Sequence, residues 1–317
     1  MSDEWLVART AELEAQGISR GTQRSWERAG RLRRMARGIV LVGPRLDGIE
    51  GVNQDAHVAL AAHPGGTVTG VAAAMILGLD GFQVGDLAPE RPAAVQLGPT
   101  ASARRGTVTR ARRVGPVHRV GSVDLSAVED ILLALGGSPG PVPRPGCAAA
   151  SRPLGIHELV ELAVEDALRR GYVTLGSLHD AVRAARAQRP GRDVLARILA
   201  ERGEESPTES YLETRCVQEL RRAGLPAFRR QAWVAAPRGR RYRLDLVYSD
   251  PVVGEIVIEP MGRTAHADRL DPDTVRQGWL TATGRRVVPV TFATIEFQPE
   301  RLTSAVERLL RGRRAAS

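Results

Sequence analysis

Apolar residues recur along this chain at two spacings, three to four residues apart in some stretches and every second residue in others, and each change of spacing marks a new element. Trp5 to Gln16 carries Leu6, Ala8, Leu13 and Ala15 among polar residues, and Gly17 stands where a helix would stop. Ser19 is placed to cap a second helix over Arg20 to Ala29, closed by Gly30. The basic run 31–38 then leads into the apolar strand Ile39 to Val42. Helix, tight turn, arginine-bearing helix and basic hairpin, in that order, predict a winged helix-turn-helix over residues 1–46.

Residues 47–135 predict an α+β middle region. Ala56 to Ala62 and Gly70 to Leu77 have helical spacing on either side of a break at 63–66; Ala93 to Leu97, Thr107 to Arg113 and Val117 to Val120 are strand-like; Val123 to Leu135 is an apolar-rich helix. His57 and His63 are expected to be surface or loop residues rather than ligands, with no carboxylate or cysteine at metal spacing beside them. Residues 136–153 are rich in Gly and Pro without a period and predict a linker. Residues 154–203 predict a helical connector of three helices, Ile156 to Arg169, Leu175 to Arg186 and Asp193 to Ala200, whose apolar face is expected to pack on the C-terminal domain.

In residues 204–317 the helix Ser210 to Ala223 has Leu212, Cys216, Val217 and Leu220 on one face, which sets Glu209 in its first turn. Trp233 to Ala236, Tyr242 to Tyr248 and Gly254 to Glu259 predict three strands, followed by a helix over Thr274 to Thr283, a strand over Arg285 to Phe292 and a helix over Pro299 to Leu310. Asp245 and Glu259 therefore lie on neighbouring strands and can point at one spot. The fold class expected for the whole chain is α/β, α+β overall.

Composition narrows the function. The chain of 317 residues is long enough for two or three domains, and its 43% hydrophobic content suffices for real cores. All 45 basic residues are arginine, and the formal net charge of +9 favours a polyanionic partner. Between Arg20 and Arg37 seven arginines face the single acid Glu27. On a helix Gln23 and Arg24 fall within one turn of Glu27, so that face can enter a major groove. Arg33, Arg34 and Arg37 would then hold phosphates, and Arg20, Arg28 and Arg31 belong to the same expected nucleic-acid-binding set. A solvated arginine face is the alternative. The two cysteines give neither a disulfide framework nor zinc spacing, which suits a cytoplasmic protein. No apolar run of membrane length occurs, and Asp3, Glu4 and Arg9 interrupt any secretory signal.

Two resemblances sharpen this picture. Gly17-Ile18-Ser19-Arg20, Ala29-Gly30-Arg31-Leu32-Arg33-Arg34 and Arg37-Gly38-Ile39 resemble the N-terminal domain of AbiEi-type antitoxins, with Val40 where tyrosine is usual. Ser206-Pro207-Thr208-Glu209-Ser210, Arg243-Leu244-Asp245-Leu246 and Ile258-Glu259, with Arg263, His266 and Arg276 beyond, resemble the Vsr-like branch of the PD-(D/E)XK nucleases. The first implies DNA binding and a cognate toxin as partner. The second implies a restriction-endonuclease-like α/β domain with Glu209, Asp245 and Glu259 around Mg²⁺, Asp245 and Glu259 as metal ligands, and His266 beside a metal-bound water.

The nuclease pattern is incomplete. Met261 stands where a further acid is expected, and a thioether is a poor ligand for a hard cation. Pro260 removes a backbone donor, and no lysine is present. Three functions follow: a DNA-binding regulator of antitoxin type with an impaired nuclease-like domain, an active Mg²⁺-dependent endonuclease guided by the N-terminal domain, or an antitoxin acting through contact with a toxin.

Overall fold

The computed structural model describes residues 6–44, 46–82, 94–97, 108–110, 118–138, 153–189, 191–236, 241–261, 276 and 278–311, and they form a mixture of helix and sheet. The chain divides into two compact units. The first comprises Met1–Cys147, Gly155–Ala163 and Tyr172–Leu199; the second comprises Ala148–Leu154, Val164–Gly171 and Ala200–Ser317.

The first unit opens with β1 (Leu6–Arg9), α1 (Thr10–Ala15), α2 (Arg20–Arg28), β2 (Leu32–Ala36) and β3 (Ile39–Val42). The helix expected from Trp5 begins only at Thr10, because Leu6–Arg9 pairs antiparallel with β3, from Leu6↔Val42 to Arg9↔Ile39. That pairing completes a sheet of order β1-β3-β2. Alternation favoured the strand over a short, weakly periodic helix. Ala8, Leu13, Leu32 and Val40 form the core beneath, flanked by Ile18 and Trp26. Ser19 caps α2 as expected, its hydroxyl accepting from the Thr22 backbone N–H at 3.2 Å.

A second sheet follows in the same unit. α3 (Gly48–Ala62), β4 (Thr67–Thr69), α4 (Gly70–Leu77), β5 (Ala94–Leu97), β6 (Val108–Arg110), β7 (His118–Val120), β8 (Val123–Leu125) and α5 (Val128–Gly136) give the strand order β6-β5-β4-β8-β7. Thr67 to Thr69, between two predicted helices, is a buried β-branched strand between β5 and β8. Buried within Thr67–Thr69's own strand context, Val68 joins Leu79, Phe82 and Leu125 in the interior. His63, expected as a surface or loop residue, is the C-cap that ends α3 and is buried there.

The connector helices α6 (Ile156–Arg169), α7 (Leu175–Ala184) and α8 (Arg192–Arg202), expected to pack on the C-terminal domain, do so in part: Val164–Arg169 and the end of α8 belong to the second unit, where Glu165 meets Arg230, and the rest belongs to the first. The reason is a close backbone approach. A Cβ on Gly191, at φ +84°, would lie 2.0 Å from the Leu133 carbonyl oxygen, so only glycine lets this segment meet the end of α5. Arg189 adds an ion pair to Asp130 at 2.8 Å.

The second unit is built on β9 (Arg229–Ala235), β10 (Arg241–Asp250), β11 (Gly254–Met261) and β12 (Arg286–Thr291), in spatial order β12-β11-β10-β9. β10 runs antiparallel to β9 and β11, and β11 runs parallel to β12. One face packs on α9 (Tyr211–Arg222), α10 (Phe292–Phe297) and α11 (Pro299–Arg311), through Leu212, Cys216, Ile295, Leu302 and Val306 against Leu246, Ile256 and Ile258. On the other face Leu244, Val247 and Val257 meet Leu280 of the helical segment 278–282. Alternating apolar residues on β11 supply both cores, as the strand period requires. Among the described residues no helix is long and apolar enough to cross a membrane.

Candidate functional site

The acidic centre lies where two central strands part. The ladder between β10 and β11 ends at Leu246↔Ile258, and one further step in the same register sets Asp245 across from Glu259. Arg276 occupies that fork. Its Nη2 donates to the Arg243 carbonyl on β10 and to Glu259 Oε1 on β11, the latter at 2.9 Å.

Asp245 also marks an irregularity within β10. Leu244 and Val247 join one core while Leu246 joins the other, so strict alternation breaks between Leu244 and Leu246. Opposite the break in β9, between the pairs Leu244↔Ala232 and Leu246↔Arg230, stands Gln231 with φ +52°. Left-handed backbone at a non-glycine residue costs on the order of 1–3 kcal/mol and persists only where neighbours enforce it. Here Gln231 Nε2 donates to Glu213 Oε2 at 2.8 Å.

Glu213 is the acid that the sequence reading missed. Ser210 is the N-cap of α9, its hydroxyl accepting from the Glu213 N–H at 3.2 Å, so Glu213 rather than Glu209 is the acid of the first turn. Glu209 precedes the cap, and its backbone N–H donates to Glu213 Oε2 at 2.9 Å. The spacing Ser210-x-x-Glu213 is a capping signature that could have revealed this arrangement. Gln231 carried no such signal, and Arg276 stood in the nuclease pattern without an assigned role.

Burial sets the electrostatics. It raises Glu213 from 4.5 to about 7, helped by the charges of Asp245 and Glu209 and opposed by the hydrogen bonds from the Glu209 backbone and Gln231. Asp245 is also raised, mainly by burial and further by Glu209, with Arg276 and Arg243 pulling the other way. The Cys216 thiol nearby is pushed up by burial and is inert at neutral pH.

Glu209, Asp245 and Glu259 are thus brought into one neighbourhood, but each side of it is already engaged. Arg243 pairs with Glu209, Arg276 pairs with Glu259, and Gln231 holds Glu213. Among the described residues no three His, Cys, Asp or Glu side chains converge on a point that would hold a metal ion. As arranged, this donor set does not fit Mg²⁺, which needs oxygen ligands in near-octahedral array. His266 lies outside the described residues, and so does Arg263.

The arginines expected to meet nucleic acid lie on the first unit. Arg20, Arg24, Arg28, Arg31, Arg33, Arg34 and Arg37 are all exposed. Arg20 pairs with Glu14 at 2.7 Å, which raises its pKa, and Arg34 pairs with Glu27 at 3.0 Å. Arg24, Arg31, Arg33 and Arg37 have no carboxylate partner among the described residues. Gln23 departs from expectation. It is turned inward, 2% exposed, and its Nε2 donates to the Ile18 carbonyl at 3.1 Å, so it ties α2 to the preceding turn and cannot reach a groove.

Comparison with models of known protein families gives no match to this chain, and comparison with curated protein sequences gives none either.

Proposed function

We propose that this protein is a cytoplasmic DNA-binding regulator of antitoxin type. Its N-terminal segment docks on duplex DNA as a winged helix, and its nuclease-like C-terminal sheet binds without cutting. The observation that carries this reading is the set of exposed arginines on and after α2, Arg24, Arg31, Arg33 and Arg37, which have no carboxylate partner among the described residues and flank one small core. Such groups release counterions when they meet phosphates. The engaged carboxylates around Asp245 support the second half.

One observation favours a second reading, a Mg²⁺-dependent endonuclease. Acids with raised pKa values gather at catalytic centres as well as in ion-pair networks, and Glu213 and Asp245 are such acids. A single assay separates the two. A labelled duplex and a supercoiled plasmid, incubated with the protein and Mg²⁺ or Mn²⁺, are expected to be retarded on a gel and remain uncut. Cutting that disappears in Asp245→Ala would establish the nuclease instead. Absence of both retardation and cutting would contradict both readings.

A further inference from the structure

Trp233 is the most exposed large hydrophobic side chain among the described residues, at 56%. Six other aromatic rings of the second unit pair with one another: Tyr242 with Trp279 at 5.2 Å, Phe228 with Tyr248 at 5.6 Å, Tyr211 with Phe292 at 6.1 Å; Phe297, near the end of the unit, is also exposed, at 48%. Trp233 instead lies on β9, the edge strand, with the guanidinium carbons of Arg241 and Arg243 at 5.4 and 5.8 Å from its ring centroid. The register explains the grouping. Arg243 is its direct cross-strand partner and Arg241 the diagonal one, so period two puts all three on one face of the sheet. Their neighbours Val234 and Tyr242 pack on the opposite face, around Leu244 and Leu280.

We infer that Trp233, with Arg241 and Arg243, forms a stacking platform for an unpaired base of single-stranded nucleic acid. An indole accepts the π-face of any base, while a duplex keeps its bases stacked on one another and offers an edge strand none. Cations already lying against the ring favour an anionic strand over an apolar protein segment. Arg241 is exposed and has no carboxylate partner among the described residues, so it can take the phosphate beside the stacked base. Arg243 is shared with Glu209, which places the platform beside the acidic centre. A strand held there would pass the fork at Asp245 and Glu259. This site differs from the duplex-binding face of the first unit and does not depend on it.

The test uses the full chain and a short labelled oligothymidylate at low salt, read by fluorescence anisotropy. Wild type is expected to bind, Trp233→Ala to weaken binding about 5- to 150-fold, and Trp233→Phe to retain most of it. Arg241→Ala is expected to weaken binding and reduce its salt slope by roughly 0.7, the value for one contact to a single strand. Because Trp233 is exposed, Trp233→Ala should unfold like wild type, and duplex binding measured in parallel should be unchanged. An oligothymidylate that does not bind wild type, or binds Trp233→Ala within twofold of it, overturns the inference. Loss of duplex binding alone, with the oligothymidylate results as expected, would count only against the winged-helix reading.

Discussion

Replacing Glu165 by alanine is expected to destabilise the second unit by about 3–5 kcal/mol, the cost of leaving buried charge unpaired. Glu165 lies on α6 and its side chain is 1% exposed. Oε1 accepts from Arg202 Nε at 3.0 Å and from Arg230 Nη1 at 2.7 Å, and Oε2 accepts from the Thr208 backbone N–H at 3.1 Å. One carboxylate thereby joins α6, α8, the first residues of β9 and the segment leading into α9. Arg202 and Arg230 are themselves 1% and 5% exposed; removal of Glu165 leaves the Arg202 guanidinium buried without a carboxylate partner among the described residues and leaves Arg230 only the longer ion pair to Glu205 at 3.8 Å. Glu165→Gln keeps an acceptor and should cost less. Urea unfolding followed by circular dichroism is the measurement. Because the chain has two units, the expected signature is an early transition of one part rather than a uniform shift. A change of less than about 1 kcal/mol would mean that the arginines find water or other partners.

The second large effect is a pH dependence of stability that Glu213 creates. Its carboxyl is raised by burial from 4.5 to about 7, so the folded state binds that proton more tightly than the unfolded chain. The contribution of Glu213 to stability is therefore greatest below pH 4.5, falls as pH rises towards about 7, and levels off above it, by about 3 kcal/mol in all. Asp245, raised in the same direction, adds a loss of the same sign. Glu213→Gln should abolish most of the fall. At pH 8 the variant is expected to be more stable than wild type, less whatever the bonds from the Glu209 N–H and Gln231 lose, and near pH 4 the two should be close. Thermal melts across this range with a chelator present test it. Parallel pH profiles for the two proteins would show that Glu213 is not the group responsible.

Neither Glu165 nor Glu213 was singled out from the sequence, and the reasons differ. Helices with a clear apolar face were legible: α2, α6 and α9 lie within a residue or two of their expected limits, and the strands carrying Asp245 and Glu259 are neighbours as alternation required. Leu6–Arg9 was read as helix because its strand character depends on pairing with β3, from Leu6↔Val42 to Arg9↔Ile39, far along the chain. The Glu165 network joins residues 165, 202, 208 and 230, and no local pattern marks a buried acid that meets its arginines only through the fold. Gln23 looked available because helical spacing fixes which residues share a face but not which face turns inward; its inward side chain is settled by the turn at Ile18. Glu213, by contrast, was within reach of the sequence through its spacing from Ser210.

The reading of function turns on whether the uncommitted arginines of the first unit meet phosphates. The most direct measurement is the affinity of the full chain for duplex DNA over a series of salt concentrations, compared with a variant carrying Arg33→Ala and Arg37→Ala. Binding that weakens steeply with salt, with the log–log slope reduced by about 1.8 in the double variant, is the expected result. Equal slopes for the two proteins, or wild-type affinity indifferent to salt, would contradict it.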